Sequence, residues 1–379
     1  MIYLDNSATT KPDPSVLESF QQASQRFFAN PSSIHHLGGE AEKMLSKARK
    51  QAAELLNVHQ DEIVFTSGGT EGNNLAIKGT ALKHQGRGKH IITTEIEHSS
   101  VDETFQGLSQ LGFDVTYLPV DENGVVSVED VRKAIRHDTI LISVMHVNNE
   151  LGSIQPVKEI GDIAKKYPKL FFHVDNVQGF GKVPLELAES GIDFCTISGH
   201  KIHGLKGTGL LYVKKGATLF PLFHGGDQEH GLRSGTENLA GAVSLVKALR
   251  LTKERQEAGT QHMLELQQEL YNKLSGMNGV EVNTPKEAAP HIINISVPGL
   301  KPEVIIHTLG EQDIYISTKS ACSSKQTDES KILAACSKSS EVASSALRIS
   351  LSYDTAAEEI SVFLNALEKA IHQLKAVLE

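Results

Sequence analysis

The chain has 379 residues, 39% of them hydrophobic and 22% charged, with a formal net charge of −9, which fits a soluble globular protein with one large and one smaller core. The acidic balance, with a pI near 6.0, gives no overall attraction to nucleic acid or anionic membrane, and no stretch approaches the roughly 20 apolar residues that span a bilayer. The first residues, Met1-Ile2-Tyr3-Leu4-Asp5, carry neither a basic leader nor a signal-type apolar core, so a cytoplasmic protein is expected.

The segment from Tyr3 to Thr10 reads as a short extended piece running into Lys11-Pro12-Asp13-Pro14, whose prolines suit a turn and the first position of a helix over 15–28. Asn30-Pro31-Ser32-Ser33 breaks that pattern before a second helix near 39–56. From Glu62 onward apolar runs and helical patterns alternate. Strands are predicted over 63–66, 91–94, 115–118, 140–146 and 209–213, with further strands opening at Phe171 and Asp193. Helices are predicted after the first glycine turn, near 100–111 and over 157–166. Such alternation argues for a mostly parallel sheet covered by helices on both faces. A long helical pattern over 238–274 then bridges to strands near 291–297, 314–317 and 347–351, a smaller α/β unit with which the N-terminal segment packs.

Two segments organise the candidate site. Phe171-Phe172-His173-Val174-Asp175-Asn176-Val177-Gln178 and Asp193-Phe194-Cys195-Thr196-Ile197-Ser198-Gly199-His200-Lys201 each begin as an apolar run and end in polar groups. In one parallel sheet, Asp175, Gln178, Ser198, His200 and Lys201 emerge at the same carboxyl edge, where open α/β sheets bind ligands. Taken alone, Asp175 and Lys201 read more simply as a strand-end ion pair.

Thr66-Ser67-Gly68-Gly69-Thr70-Glu71-Gly72-Asn73-Asn74 lies between a strand and a helix. Its glycines let the backbone approach a ligand, Thr70 can cap the helix, and free amides at the helix start can hold a phosphate; an ordinary glycine turn reads the same way. His98 follows another strand on the same inferred edge, as a ligand-facing group or as a cap. Asn149, in His146-Val147-Asn148-Asn149-Glu150, donates to a ligand or bonds its own turn. The polar loop from His224 to Asn238 has a length that is commonly functional, with a plain surface loop as the alternative. The three cysteines are odd in number and lack metal-ligand spacing, which argues against disulfides and zinc. Cys322, in a small polar segment between Lys319 and Lys325, suits thiolate chemistry, whereas Cys195 and Cys336 read as packing. Arg348 is a charge inside an apolar strand and needs a partner, either a substrate carboxylate in bidentate contact or an internal Asp or Glu.

In order along the chain, the Tyr3–Thr10 segment, Thr66-Ser67-Gly68-Gly69-Thr70-Glu71, His146-Val147-Asn148-Asn149-Glu150, His173-Val174-Asp175, Ser198-Gly199-His200-Lys201, Arg233-Ser234-Gly235-Thr236 and Ser320-Ala321-Cys322 resemble the cysteine desulfurases of the class V aminotransferase family, enzymes that use pyridoxal 5′-phosphate (PLP). The likeness covers nearly the whole chain, and the serine-rich loop around Cys322 points to the group that supplies sulfur for iron–sulfur clusters and tRNA thiolation. It implies the type I fold of PLP-dependent transferases, an α/β architecture with a mostly parallel seven-stranded sheet. A large PLP-binding domain would span 14–256, and a small domain built from 1–13 and 257–379 would carry the cysteine loop.

The resemblance also implies roles. Lys201 would carry PLP and take the substrate Cα proton. Asp175 would pair with the pyridine nitrogen, His98 would stack on the ring and assist acid–base steps, and Gln178 would bond the phenolic oxygen. Gly69, Thr70, Ser198 and His200 would hold the phosphate, and Thr236 would reach the phosphate of the neighbouring subunit in a homodimer. Arg348 would grip the carboxylate of L-cysteine, with Asn149 beside cofactor and substrate. Cys322 would take the sulfur as a persulfide, releasing L-alanine. An acceptor protein, an iron–sulfur scaffold or a tRNA thiolation enzyme, would receive it, with no metal, membrane or direct nucleic-acid partner. Three departures from the family pattern stand out: Leu205 where proline is common, Asn176 where a small residue is usual, and Ser352-Tyr353-Asp354-Thr355 after Arg348. The first predicts a looser turn behind Lys201, the second altered packing near Asp175.

Overall fold

The computed structural model describes residues 1–318 and 329–378, so Cys322 lies outside the described residues. Numbered in chain order, the strands are β1 (Ile2–Tyr3), β2 (Ile63–Thr66), β3 (His90–Thr94), β4 (Asp114–Leu118), β5 (Thr139–Met145), β6 (Phe171–Asp175), β7 (Phe194–Ser198), β8 (Gly209–Val213), β9 (Glu281–Val282), β10 (Ile292–Ser296), β11 (Ile314–Tyr315) and β12 (Ala346–Ser350). A seven-stranded sheet runs in the order β2-β8-β7-β6-β5-β3-β4. Neighbours from β7 through β4 are parallel, while β8 runs against both β2 and β7. This is the mostly parallel seven-stranded sheet that the resemblance implies.

The strand composition explains the layering. β5 reads Thr139-Ile140-Leu141-Ile142-Ser143-Val144-Met145 and is buried at every position, as a parallel strand covered on both faces must be. Ile92, Ile142, Val144, Phe172 and Val174 pack with Ile160 and Leu245 on one face, while Ile91, Ile140 and Leu141 pack with Ile77, Val101 and Phe105 on the other. The polar side chains inside the sheet find partners across it. His173 of β6 lies between Ser143 and Thr196 at 2.8 and 3.0 Å, and burial pushes its pKa down to about 3, so the ring is neutral.

A second core forms around the antiparallel sheet β12-β10-β9 and the parallel pair β1-β11, joined by bridges from Asp5 to Ser350 and from Ser317 to Arg348. Leu4 packs there with Ile293, Ile349, Phe363 and Leu367. Helix Leu239–Ser275 runs between the cores, burying Leu245 and Leu249 in the first and Leu266, Leu270 and Leu274 in the second. Pro14 opens helix Pro14–Arg26 as expected, with the Asp13 side chain accepting from Ser15 N at 2.8 Å. Among the described residues no helix is long and apolar enough to cross a membrane.

Candidate active site

β6 and β7 are adjacent and parallel, with Asp175 opposite Thr196, so Asp175 at the end of β6 and Lys201 just past β7 come out at one carboxyl edge. Of the candidate positions among the described residues, all but Thr236 line a single cavity there: Gly69, Thr70, His98, Asn149, Asp175, Gln178, Ser198, His200, Lys201 and Arg348, joined by Ser7, Ala8, Asn73, Ser100, Met145 and Val177. Other bonds than a mutual ion pair hold the two charges. Asp175 accepts from Asn73 Nδ2 at 2.7 Å and from Val177 N at 3.0 Å, while Lys201 Nζ donates to the carbonyls of Ser7 and, at 2.9 Å, Ala8.

The glycine turn seats the start of helix Gly69–His84 against these strands. A Cβ on Gly209 would lie 2.6 Å from Gly68 Cα, and one on Gly72 would lie 2.7 Å from Thr196 Cγ2, so glycine at both places is what lets the turn, β7 and β8 touch. Thr70 does not cap this helix as expected. It sits inside the first turn, and Gly68 occupies the cap position with no side-chain cap bond, which leaves the first helical amides uncapped at the cavity wall. Beside them, the buried Ser198 Oγ has no hydrogen-bond partner. His200 Nδ1 meets Thr9 Oγ1 at 3.2 Å, and burial together with Lys201 pushes its pKa down to about 4, so its ring is neutral.

The opposite side comes from the smaller unit and the N-terminal segment. Arg348, 1% exposed, donates from Nη2 to Asp5 Oδ1 at 3.0 Å and from Nη1 to the Asn149 carbonyl at 2.9 Å. Its Nε is buried without a partner. The internal carboxylate allowed by the sequence is therefore present, and donors remain for a second carboxylate. Burial outweighs Arg348 at Asp5 and raises that carboxyl's pKa. The neighbouring asparagines divide their roles: Asn148 bonds its own turn, accepting from Glu150 N and Leu151 N at 2.9 Å, and Asn149 is the one that lines the cavity. Gln178 donates to the Ser7 carbonyl at 3.0 Å, and its Oε1 has no partner. His98 is both a cap and a cavity residue, since its Nδ1 accepts from Ser100 N at 3.1 Å; burial lowers its pKa.

Sequence reasoning missed Asp5, Ser7, Asn73 and Ser100 as members of the site. Asn73 lay inside the quoted glycine segment, and its place four residues after Gly69 on a helix facing the sheet was the available signal. Thr236 is exposed and outside this cavity, although its loop is tied to the glycine turn through Arg233 Nε and Glu71 Oε1 at 2.9 Å. In the turn behind Lys201, the Leu205 carbonyl accepts from Thr208 Oγ1 at 2.7 Å and the Leu205 side chain packs on the large core. Asn176 is buried against His146 at 2.9 Å. Cys195 and Cys336 are buried packing residues as expected; burial raises both thiol pKa values, that of Cys336 to about 12.

The family model described as Aminotransferase class-V matches residues 2–363 of this chain. The chain belongs to the class V aminotransferases. Among its family relatives, a NifS/IcsS protein homolog from Lactobacillus delbrueckii subsp. bulgaricus is 48% identical over 374 residues, covering 97% of each chain. The cysteine desulfurase IscS of Dictyoglomus turgidum is 41% identical over 378 residues, covering 99% of this chain and 96% of its own. A solved structure described as a NifS-like protein superposes with a TM-score of 0.92 at 38% identity, over 98% of this chain and 99% of that one.

The cofactor of this class V aminotransferase is PLP. The cavity fits it. A phosphate would find the uncapped amides at Gly69 and Thr70 and the unpartnered Ser198 Oγ. A protonated pyridine nitrogen would find the Asp175 carboxylate, which keeps lone pairs beyond its two bonds.

Proposed function

We propose that this protein is a cysteine desulfurase that removes sulfur from L-cysteine, releases L-alanine and carries the sulfur as a persulfide on Cys322. The observation that carries this reading is the convergence of Arg348 with Asp175 and Lys201 on one cavity, a carboxylate grip set opposite two cofactor handles. When bound, PLP supplies an electron sink that stabilises negative charge at the substrate Cα and loosens the Cβ–sulfur bond.

The chain's own groups do the rest. Asp175, fixed by Asn73 and Val177, would pair with the pyridine nitrogen. Gly69, Thr70, Ser198 and His200 would hold the phosphate, and Gln178, which gives one amide hydrogen to Ser7, would bond the phenolic oxygen. Arg348 presents Nε and its remaining Nη hydrogens to the substrate carboxylate, with Asn149 beside it. Lys201 Nζ, held by the Ser7 and Ala8 carbonyls, takes the Cα proton. Cys322 Sγ attacks the substrate sulfur; a sulfur–sulfur bond forms as Cβ–S breaks, the bonding pair stays with carbon, and the thiol hydrogen ends on the methyl group of L-alanine.

The working form is a homodimer in which Thr236, exposed and outside its own subunit's cavity, reaches the phosphate of the neighbouring site. Residues 14–256 form the PLP-binding domain, and 1–13 with 257–379 form the domain that carries Cys322. The persulfide passes to an acceptor protein of iron–sulfur assembly or tRNA thiolation. A reducing cytoplasm suits a chain whose chemistry needs a free thiol. Incubating the PLP-loaded protein with L-cysteine, quantifying alanine by chromatography and weighing the peptide that contains Cys322 tests the proposal. Alanine with a sulfur adduct is expected. Absence of alanine overturns the reaction, and equal alanine from Cys322→Ser overturns the role of Cys322.

A further inference from the structure

The cavity contains a hydrogen-bonded chain that runs on past Asn73, beyond the bond that fixes Asp175 in the proposed chemistry. It begins at Asp175 Oδ2, which accepts from Asn73 Nδ2 at 2.7 Å, and continues from Asn73 Nδ2 to Ser100 Oγ at 2.9 Å and from Ser100 Oγ to His98 Nδ1 at 2.9 Å. Asn73 and Ser100 are buried, at 1% and 9% exposed.

Each link has a determined direction. A carboxylate only accepts, so the Asn73 group against Asp175 must be its amide nitrogen; the flipped amide would put oxygen against oxygen. The other hydrogen of that nitrogen goes to Ser100, making Ser100 Oγ an acceptor and leaving its own hydrogen for His98. The backbone gives a second constraint. Ser100 N donates to the same Nδ1 at 3.1 Å, and a peptide N–H cannot reverse its role. Two donors therefore converge on Nδ1, which must keep its lone pair.

We propose that Asn73 and Ser100 are positioning residues that lock His98 as a neutral ring with its hydrogen on Nε2, and that Asp175 sets the direction of the whole chain. The charges facing His98 are Asp175, which favours the cation, and Lys201 and Arg348, which oppose it; burial opposes it too, and the balance lowers its pKa. Forming the cation would place a hydrogen on Nδ1 against the Ser100 amide. His98 in this state donates a hydrogen bond from Nε2 and does not accept a proton there, so Cα deprotonation falls to Lys201 alone. This division of labour rests on the cysteine desulfurase reading; the tautomer does not.

The test separates the two. In PLP-loaded protein with 15N-labelled histidine, His98 is identified among the 17 histidines by the signals lost in His98→Gln. The expected pattern at neutral pH is one pyridine-like nitrogen, Nδ1, and one pyrrole-like nitrogen, Nε2, both unchanged on moving to mildly acidic pH. Ser100→Ala leaves only the longer 3.1 Å bond from the peptide N–H on Nδ1, and Asn73→Ala frees the Ser100 hydroxyl to turn away, so each should move the two resonances part of the way toward one another. A pyrrole-like Nδ1, a cationic ring at neutral pH, or wild-type shifts in both variants overturns the proposal. If the shifts behave as expected and L-cysteine yields no alanine, the locked tautomer stands and the reaction assigned above falls.

Discussion

The two sides of the cavity are built by opposite means. One side is a strand edge: Asp175 and Ser198 end the adjacent parallel strands β6 and β7, and Lys201 follows directly. The other is a clasp between remote segments, where Arg348 of β12 meets Asp5, 343 residues away, and the Asn149 carbonyl. Backbone register positions the first set, and its support is the large core. Side-chain pairing positions the second, and its support is partly the ion pair itself. Changes at the strand edge should therefore damage chemistry and spare folding, whereas changes in the clasp should damage both.

Lys201→Ala is the sharpest probe of the first side. Loss of the group that holds the cofactor and moves the Cα proton should lower alanine release by at least about 10²–10⁴-fold, the range of a lost acid–base residue. Urea unfolding of the cofactor-free protein should lose no more than about 1–3 kcal/mol, the worth of the bonds to the Ser7 and Ala8 carbonyls. A large loss of stability there would erase the contrast. Arg348→Met probes the other side. It strands the Asp5 carboxylate in a partly buried place, and removing one member of a buried pair costs about 3–5 kcal/mol, with Asp5's 20% side-chain exposure favouring the low end. Adding Asp5→Asn should recover part of that loss. If the double variant unfolds as easily as Arg348→Met alone, the pair does not hold the clasp.

The same contrast explains what could be read from the sequence. Strand-edge residues follow apolar runs within a few positions, so Asp175, Ser198, His200 and Lys201 were legible as a group before any long-range contact was known. The long helix Leu239–Ser275 was equally legible from its periodicity. Asp5 was not, because nothing local in Tyr3-Leu4-Asp5 announces a guanidinium 343 residues later; the sequence showed only that Arg348 needed some carboxylate. Thr70 misled because a threonine next to a glycine turn suits a cap, and the helix begins two residues earlier than that role requires. The helix Val128–Ala134 and the two-residue β9 are too short to carry a readable period.

Glu97 offers a pH-dependent probe behind the strand edge. It joins β3 to β5, with Oε1 accepting from Thr94 Oγ1 at 2.7 Å and from Met145 N at 3.0 Å, and burial pushes its carboxyl from 4.5 up to about 8. Between those values the folded protein holds a proton that the unfolded chain has released. The group's contribution to stability is thus full below a pH of about 4.5 and is lost as pH rises through about 8. Glu97→Gln keeps the acceptor and removes the titration. Its stability relative to wild type should rise between about pH 5 and pH 8 in urea unfolding; a constant difference would mean that Glu97 is ionised throughout.

The smallest expected effect lies where the two sides meet. Tyr353 follows Arg348 on the clasp side, yet its hydroxyl donates to the Gly181 carbonyl at 2.7 Å, and the next residue, Lys182, donates from Nζ to the Lys201 carbonyl at 3.0 Å. The tyrosine is therefore a single neutral link from one side to the backbone beneath the other. Tyr353→Phe removes the hydroxyl and leaves the ring, so it should cost about 1 kcal/mol, the net worth of one such hydrogen bond, and leave PLP retention and alanine release near wild type. If PLP retention instead falls as it does in Lys201→Ala, the position of Lys201 depends on the clasp. The strand edge would then not be set by register alone, because a bond made through the Gly181–Lys182 backbone would be moving it.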